Sequence, residues 1–561
     1  MALQGWPSIV YANITDPEIP SVAPQQSCHV STFQAPVIPG VSILSMSAEE
    51  RHEFTLHPPR SAAAATTSIN FCDVKIHLTH PGTNDDVLVE VWLPLEDWNG
   101  RFQATGGGGY ATGIFDLALG PAITTGYAAA STDGGHDEGF ASIEWALNED
   151  HSINWNLLHN FAAKSLADMI LVGKSITEQF YGEAPHHSYW NGCSQGGRQG
   201  FAIAQKYPDL LDGIAAHAPA LSIVSLFVAE FWPQLVMKES DTFLSNCELQ
   251  VFESKELDEC DTLDGAVDGV IEDPSVCKFD PAILVGQKTR CDEGKVEVTK
   301  GMANVFRKIR EGPKTPFGEQ VWHGLTYGTP TQFLANITTT PDGARIQNPF
   351  QISSFGFRNL LLKDRSFDLS ILTYSDYMAL WTQASHQYGW LLDANVPNLD
   401  AFRDTGGKLL SWHGMSDPLI PYQNSVRYRE SVQMEMGGAG SVNEFYRLFL
   451  APGVGHCNSG VGPVPKDALQ QLVDWVEKGE VPERLDAETL DKEGELVTKE
   501  LCAFPTKSKF MGVGDPKRAS SWSCEGEENE EETHDKDTAD FLGGLKDKLT
   551  QAALGMGLRI G

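Results

Sequence analysis

Residues 191–197 read NGCSQGG, and this heptapeptide decides the fold. Its core, GCSQG, fits G-x-S-x-G, in which a sharp turn from strand to helix lifts a serine above a sheet edge while small flanking residues keep the strained backbone free of clashes. The surroundings favour that reading over an ordinary glycine-rich turn with an exposed serine. An apparent strand, HHSYW (186–190), leads in, and Arg198, Phe201 and Ala204 fall at helical spacing on the way out.

Outward from this turn, strand-like runs lie at 86–95 (DVLVEVWLPL), 101–110 (RFQATGGGGY) and 126–135 (GYAAASTDGG), and helical periodicity covers 156–182. After the serine, a helix ending near Pro208 and then a short strand continue the alternation expected of βαβ units and a mostly parallel sheet. The rhythm stops at about 225. From there to 397 the chain carries four cysteines, an Asp-Gly cluster, scattered tryptophans and few β-branched runs, which reads as an inserted lid. It resumes with GKLLSWHG (407–414), EFYRLFLAPG (444–453) and the helix PKDALQQLVDWVEKG (465–479). The expected architecture is an α/β hydrolase whose catalytic domain is split into 1–224 and 398–524 by a lid at 225–397. An acidic extension at 525–561, whose EGEENEEETHDKDTAD is a like-charged run, is expected to be disordered.

Such a fold needs an acid and then a histidine after the serine, each in a loop following a strand. SWHGMSDPLIPY places Asp417 just past one strand, and APGVGHCNSG places His456 in a glycine-rich loop past the next. A cysteine stands beside two of the three: Cys193 precedes Ser194, and Cys457 follows His456. If Ser194 and His456 meet within hydrogen-bond reach, their neighbours approach the Cα separation a disulfide requires. The cysteine before the serine then has a purpose, to staple base to nucleophile.

Charge and cysteine usage bound the partners. A net charge of −34 opposes nucleic acid and anionic membrane surfaces, and no run of eighteen apolar residues exists to span a bilayer. Ten cysteines without a C-x-x-C pair, together with the sequons at Asn13 and Asn336, point to disulfides and an oxidising, secretory compartment. The first thirty residues contain no apolar signal-peptide core, which leaves an intracellular location open. The expected oligomeric state is monomer or homodimer.

GCSQGG, SDPLIPY and GHC, with NFCDVKIHLTHPGTNDDVLVEVWLP and WNGRFQATGGGGY upstream, resemble the tannase and feruloyl esterase family over about 28–525. The resemblance implies Ser194 as nucleophile, His456 as general base and acid, Asp417 as its orienter, and a Cys193–Cys457 disulfide. Proximity and the family's pattern suggest Cys28 with Cys72, Cys260 with Cys277 and Cys502 with Cys524, which leaves Cys247 and Cys291 as a pair. In this fold one oxyanion donor is the amide after the nucleophile, here Gln195, and the second comes from a loop after an early strand, for which ATGGGGY offers Gly108 or Gly109.

CDTLDGAVDGVIEDP (260–274) spaces Asp261, Asp264 and Asp268 so that one loop could present three carboxylates to a hard cation, although Asp-Gly repeats also build ordinary turns. The resemblance implies calcium here, held by the side chains of Asp261, Asp264 and Asp268 and the carbonyls of Ala266 and Val270, in a structural role. The implied activity is a serine carboxylic ester hydrolase acting on feruloyl or galloyl esters, small or cell-wall-linked. Two rivals keep the fold: an intracellular esterase or acyl transferase of specialised metabolism, and an inactive ligand-binding protein. Lid aromatics in FVAEFWPQLV and YMALWTQASHQYGWLLD could stack on a phenolic ring or fill the lid's own core.

Overall fold

The computed structural model describes residues 23–56, 67–137, 139–291 and 294–526. The sequon at Asn13 and the acidic run after residue 526 lie outside them. Nine strands form one sheet: β1 (Ser42–Leu56), β2 (Thr67–Thr79), β3 (Val87–Pro94), β4 (Arg101–Thr105), β5 (Ala128–Thr132), β6 (His187–Cys193), β7 (Gly213–His217), and, beyond two lid hairpins, β8–β9 (Lys288–Cys291, Gly294–Glu297) and β10–β11 (Ile337–Thr339, Arg345–Gln347), β12 (Lys408–Gly414) and β13 (Tyr446–Ala451). Their order is β1-β2-β3-β5-β4-β6-β7-β12-β13. The first three junctions are antiparallel and the remaining five parallel.

Parallel strands buried on both faces need apolar residues at successive positions, and the central strands supply them. Trp190, Ile214 and Leu409 join the core on one face, while their neighbours Tyr189, Ala215 and Leu410 join the core on the other, as the strand period of two dictates. Helices α1 (Asp116–Thr124), α2 (Trp155–His159), α3 (Ser165–Tyr181) and α4 (Gln195–Lys206) follow early strands, and α2 runs into α3 through a π-helical turn at Asn160–Lys164. The region read as one strand over 101–110 is extended only to Thr105, after which its glycines turn, the Gly108 amide donating to the Ala111 carbonyl and the Gly107 carbonyl accepting from Gly196 at the start of α4.

Between β7 and β12 the chain leaves the sheet. Helix α5 (Ile223–Ala229) opens this segment, whose inner part, Val236 to Ala335, has an apolar core of its own. Its remaining helices pack instead on the catalytic domain: Phe227, Phe231, Phe357 and Tyr377 share one core with Tyr110, Trp145, Leu158 and Phe161. Most lid aromatics are therefore structural.

Two parts had no counterpart in the strand reading. The antiparallel pair β1 and β2 extends the sheet, and after β13 three short strands, β14 (Val464–Pro465), β15 (Arg484–Leu490) and β16 (Leu496–Cys502), form a separate antiparallel sheet, while β17 (Lys507–Phe510) and β18 (Trp522–Glu525) pair antiparallel as a further two-stranded sheet. Five disulfides pair all ten cysteines: Cys28–Cys72, Cys193–Cys457, Cys247–Cys291, Cys260–Cys277 and Cys502–Cys524. Among the described residues no helix is long and apolar enough to cross a membrane.

Candidate active site

Strand β6 ends at Cys193 and α4 begins at Gln195, so Ser194 alone makes the turn, at φ 65° and ψ −119°. That backbone is costly for a residue with a Cβ and persists only where the surroundings hold it. Here the Ser194 amide donates to the His217 carbonyl at 3.0 Å, and the Ser194 carbonyl accepts from the Arg198 and Ala220 amides at 3.0 and 3.2 Å. Close packing requires glycine at two flanking positions. A Cβ on Gly192 would stand 2.7 Å from the Gly196 carbonyl carbon, and one on Gly197 would stand 2.4 Å from the His217 carbonyl oxygen.

The loops after β12 and β13 bring the other two groups. His456 Nε2 lies 2.9 Å from Ser194 Oγ, and His456 Nδ1 lies 2.7 Å from Asp417 Oδ2. Asp417 is buried, and its Oδ1 accepts the amides of Leu419 and Ile420, each at 2.9 Å. Burial pushes its carboxyl upward, but the attraction of His456 and the hydrogen bonds of His413 and His456 outweigh burial and hold it well below the usual carboxylate range. Asp417 is therefore an ion, placed to accept from Nδ1–H and leave Nε2 free to take a proton from the serine. The Cys193–Cys457 disulfide, with Cα atoms 6.0 Å apart, ties the Ser194 turn to the His456 loop across 264 residues of chain.

Of the two glycines read as oxyanion donors, Gly108 is spent, because its amide donates to the Ala111 carbonyl at 3.2 Å. Gly109, at φ 57°, and Gln195 make no amide hydrogen bond among the described residues. The glycine loop is registered by a residue that the sequence did not single out. Gln199 on α4 accepts from the Gly107 amide through Oε1 and donates to the Thr112 carbonyl through Nε2, both at 2.9 Å, while the Gly196 amide donates to the Gly107 carbonyl at 3.1 Å. Arg198, also buried, donates to Gln195 Oε1 and to the carbonyls of Phe161, Ala162 and Leu392. It joins the start of α4 to α2–α3 and to the end of the lid. No motif marks these two, since a long polar side chain on a helix reads as surface until the tertiary fold buries it.

The acidic loop follows the helix Asn246–Cys260 and is closed by Cys260–Cys277. Asp261 accepts the amides of Asp268 and Gly269, Asp264 accepts that of Ala266, and Asp268 accepts that of Val270. Asp264 Oδ2 is buried without a partner. Burial, with repulsion from neighbouring carboxylates and despite Lys499, pushes Asp264 upward and Asp268 up to about 6. An all-oxygen donor set with an orphaned oxygen and charge that Lys499 compensates only in part fits a hard divalent cation. Among the described residues, the ligand atoms of His186, His187 and Glu477 converge more tightly, within 4.8 Å. That Glu477, however, is already gripped by the Arg101 guanidinium through two 2.8 Å hydrogen bonds and by the Tyr189 hydroxyl at 2.7 Å.

A serine at a strand-to-helix turn, facing an acid and a histidine carried by the loops after β12 and β13 of a mainly parallel sheet, defines an α/β hydrolase. The model of tannase and feruloyl esterase matches residues 72–525. A probable feruloyl esterase of Arthroderma benhamiae is 44% identical over 501 residues, covering 88% of this chain and 93% of that protein. Feruloyl esterase B of Aspergillus niger is 30% identical over 483 residues, covering 82% and 88%. Among solved structures, a tannin acyl hydrolase from Aspergillus niger superposes with a TM-score of 0.81 at 28% identity, covering 91% of this chain and 96% of that one. The chain belongs to the tannase and feruloyl esterase family, a family of carboxylic ester hydrolases.

Proposed function

We propose that the protein hydrolyses esters of phenolic acids, of feruloyl or galloyl type, through an acyl-enzyme on Ser194. The observation that carries this reading is His456 standing between Ser194 Oγ at 2.9 Å and Asp417 at 2.7 Å. Ser194 Oγ attacks the ester carbonyl as its proton passes to His456 Nε2, and the ionised Asp417 stabilises the imidazolium. The amides of Gln195 and Gly109 receive the oxyanion, a contribution of about 3 kcal/mol per donor. His456 returns the proton to the departing alcohol, then activates water against the acyl-enzyme. The phenolic acyl class rests on the relatives named feruloyl esterase and tannase.

The acidic loop, in the same proposal, holds calcium through Asp261, Asp264 and Asp268 and the carbonyls of Ala266 and Val270. A divalent cation there would supply charge neutralisation for the lid, with no part in the ester chemistry. Five disulfides suit an extracellular place of work.

The test is labelling with a fluorophosphonate, mapped by peptide mass, alongside hydrolysis of methyl ferulate, methyl caffeate, methyl gallate and tannic acid. The expected label is on Ser194 alone, with turnover of at least one of the four. Label without turnover of any would overturn the phenolic acyl class and keep the nucleophile; absence of label would overturn the nucleophile.

A further inference from the structure

Where α4 ends, the last turn of the lid returns to the sheet and leaves a groove of about 390 Å³, lined among others by Gln205, Lys206, Trp390, Asp393, Asn395 and Val396. Trp390 is 65% exposed, and Trp155 beside it 42% exposed. Their ring centroids are 6.3 Å apart with planes inclined by 31°, and Trp155 also stacks on Tyr388 at 5.8 Å. His159 packs its edge against Trp390 at 5.9 Å. A single exposed hydrophobic residue is unremarkable, but two adjoining, partly exposed indoles, Trp390 in the groove's lining and Trp155 beside it, make an apolar patch whose exposure is unfavourable unless something covers it.

Polar groups border the patch. Lys206 Nζ donates one hydrogen bond, to the Leu391 carbonyl at 3.1 Å, and has further hydrogens to give. Asp393 Oδ1 accepts the Val224 amide at 3.1 Å. Asn395 is exposed, and its Nδ2 donates to Ser222 Oγ at 2.8 Å, so its amide oxygen remains available as an acceptor. Flat aromatic faces beside mixed donors and acceptors match a pyranose ring, which offers a C–H face to an indole and a rim of hydroxyls to polar groups. The net charge of −34 disfavours a polyanion, so the matching ligand is neutral. Eleven residues of turn and helix separate Ser194 from Gln205, roughly 17 Å along the axis. The groove is thus apart from the nucleophile and belongs to the same rigid element.

We propose that this groove binds a neutral glycan, stacked on Trp390 in its lining and on Trp155 beside it; that the glycan is the polymer bearing the enzyme's esters rests on the phenolic-ester reading above. Binding is independent of the hydrolytic reading, and it is measured where hydrolysis cannot occur. In the full chain carrying Ser194→Ala, affinity electrophoresis and calorimetry with soluble arabinoxylan should show binding, and polygalacturonate should show none. Adding Trp155→Ala and Trp390→Ala should weaken arabinoxylan binding roughly tenfold or more, since each stacking ring is lost. In the Ser194 background the same pair should leave turnover of a small methyl ester unchanged. Trp390→Phe, which keeps a ring, should retain part of the binding if the double variant folds poorly. Absence of binding by the Ser194→Ala protein, equal binding after both tryptophans are removed, equal affinity for polygalacturonate, or a homodimer that the double variant breaks would each overturn the proposal.

Discussion

Two sites in this molecule are built from aspartates, and they handle charge in opposite ways. Around Asp417 the protein supplies the compensation itself: two backbone amides on one oxygen, two imidazoles at the other, and a carboxyl held low as a result. In the lid loop, Asp264 and Asp268 receive one amide each, keep an orphaned oxygen between them and are pushed up. The first site is complete within its own chain. The second, on the proposal that it holds calcium, would be completed only by a cation from solution. The difference follows from sequence distance: Ser194 and His456 lie 262 residues apart and are bound by a fold and a disulfide, whereas the three lid carboxylates lie within eight residues of one another and are bound by a turn.

If the first site is self-sufficient, its losses should be the largest. Ser194→Ala removes the attacking oxygen and little volume, so kcat should fall on the order of 10⁶-fold with melting temperature preserved. Residual activity within tenfold of wild type would show that another group is the nucleophile. Steady-state kinetics with one responsive ester, together with a thermal melt, decides it.

Next in size is the staple. Replacing Cys193 and Cys457 together by alanine keeps all three reacting side chains and frees two loops to drift. About 1 Å of misplacement can cost on the order of a hundredfold, so kcat should fall between ten- and a thousandfold while circular dichroism stays native. Unchanged turnover would reduce the disulfide to reinforcement of the fold.

Gln199 tests the same principle without a covalent bond. Gln199→Leu removes the bonds to Gly107 and Thr112 that register the glycine loop. The expected result is a ten- to hundredfold drop in kcat with KM little changed, because an oxyanion donor, proposed at Gly109, would matter most in the transition state. A rise in KM alone would assign Gln199 to substrate binding through loop position.

The contrast between these residues shows what a sequence can disclose. Ser194, Asp417 and His456 are legible because each sits in a short signature at a strand end, and their order constrains them further. The central strands are legible because burial on both faces forces apolar runs. β1 is not: SILSMSAEERHEFTL is largely exposed along its length, so neither alternation nor an apolar run marks it. Gln199 and Arg198 are hidden for the same kind of reason, since only the packing of α4 against two other segments makes their polar ends interior. The choice between Gly108 and Gly109 turned on which amide was already engaged, a fact of the turn alone.

The smallest effect expected, and the one that most sharpens the comparison, is in the lid. Chelation should lower the melting temperature by several degrees and leave the kcat of the folded enzyme unchanged, because the loop shares no group with Ser194 or His456. Its pH dependence distinguishes calcium from a plain turn. Without a cation Asp268 has a folded-state value near 6, above the ordinary 3.8 of an unfolded chain. A raised carboxyl favours the folded state below the unfolded value, and that advantage is lost as pH rises from about 4 to about 6. Bound calcium would hold the carboxylates ionised, so a calcium-loaded protein should not lose stability over that window through this loop. The gap in melting temperature between calcium-loaded and chelated protein should therefore be small near pH 4, widen to about pH 6 and then level off. Asp268→Asn should remove both the gap and its pH dependence, while elemental analysis of the wild type should find about one calcium per chain on the proposed donor count. A gap that stays flat from pH 4 to 7, or none at all, would mean that the loop is a turn whose carboxyls are merely strained, and the lid would then match the catalytic site in needing nothing from outside.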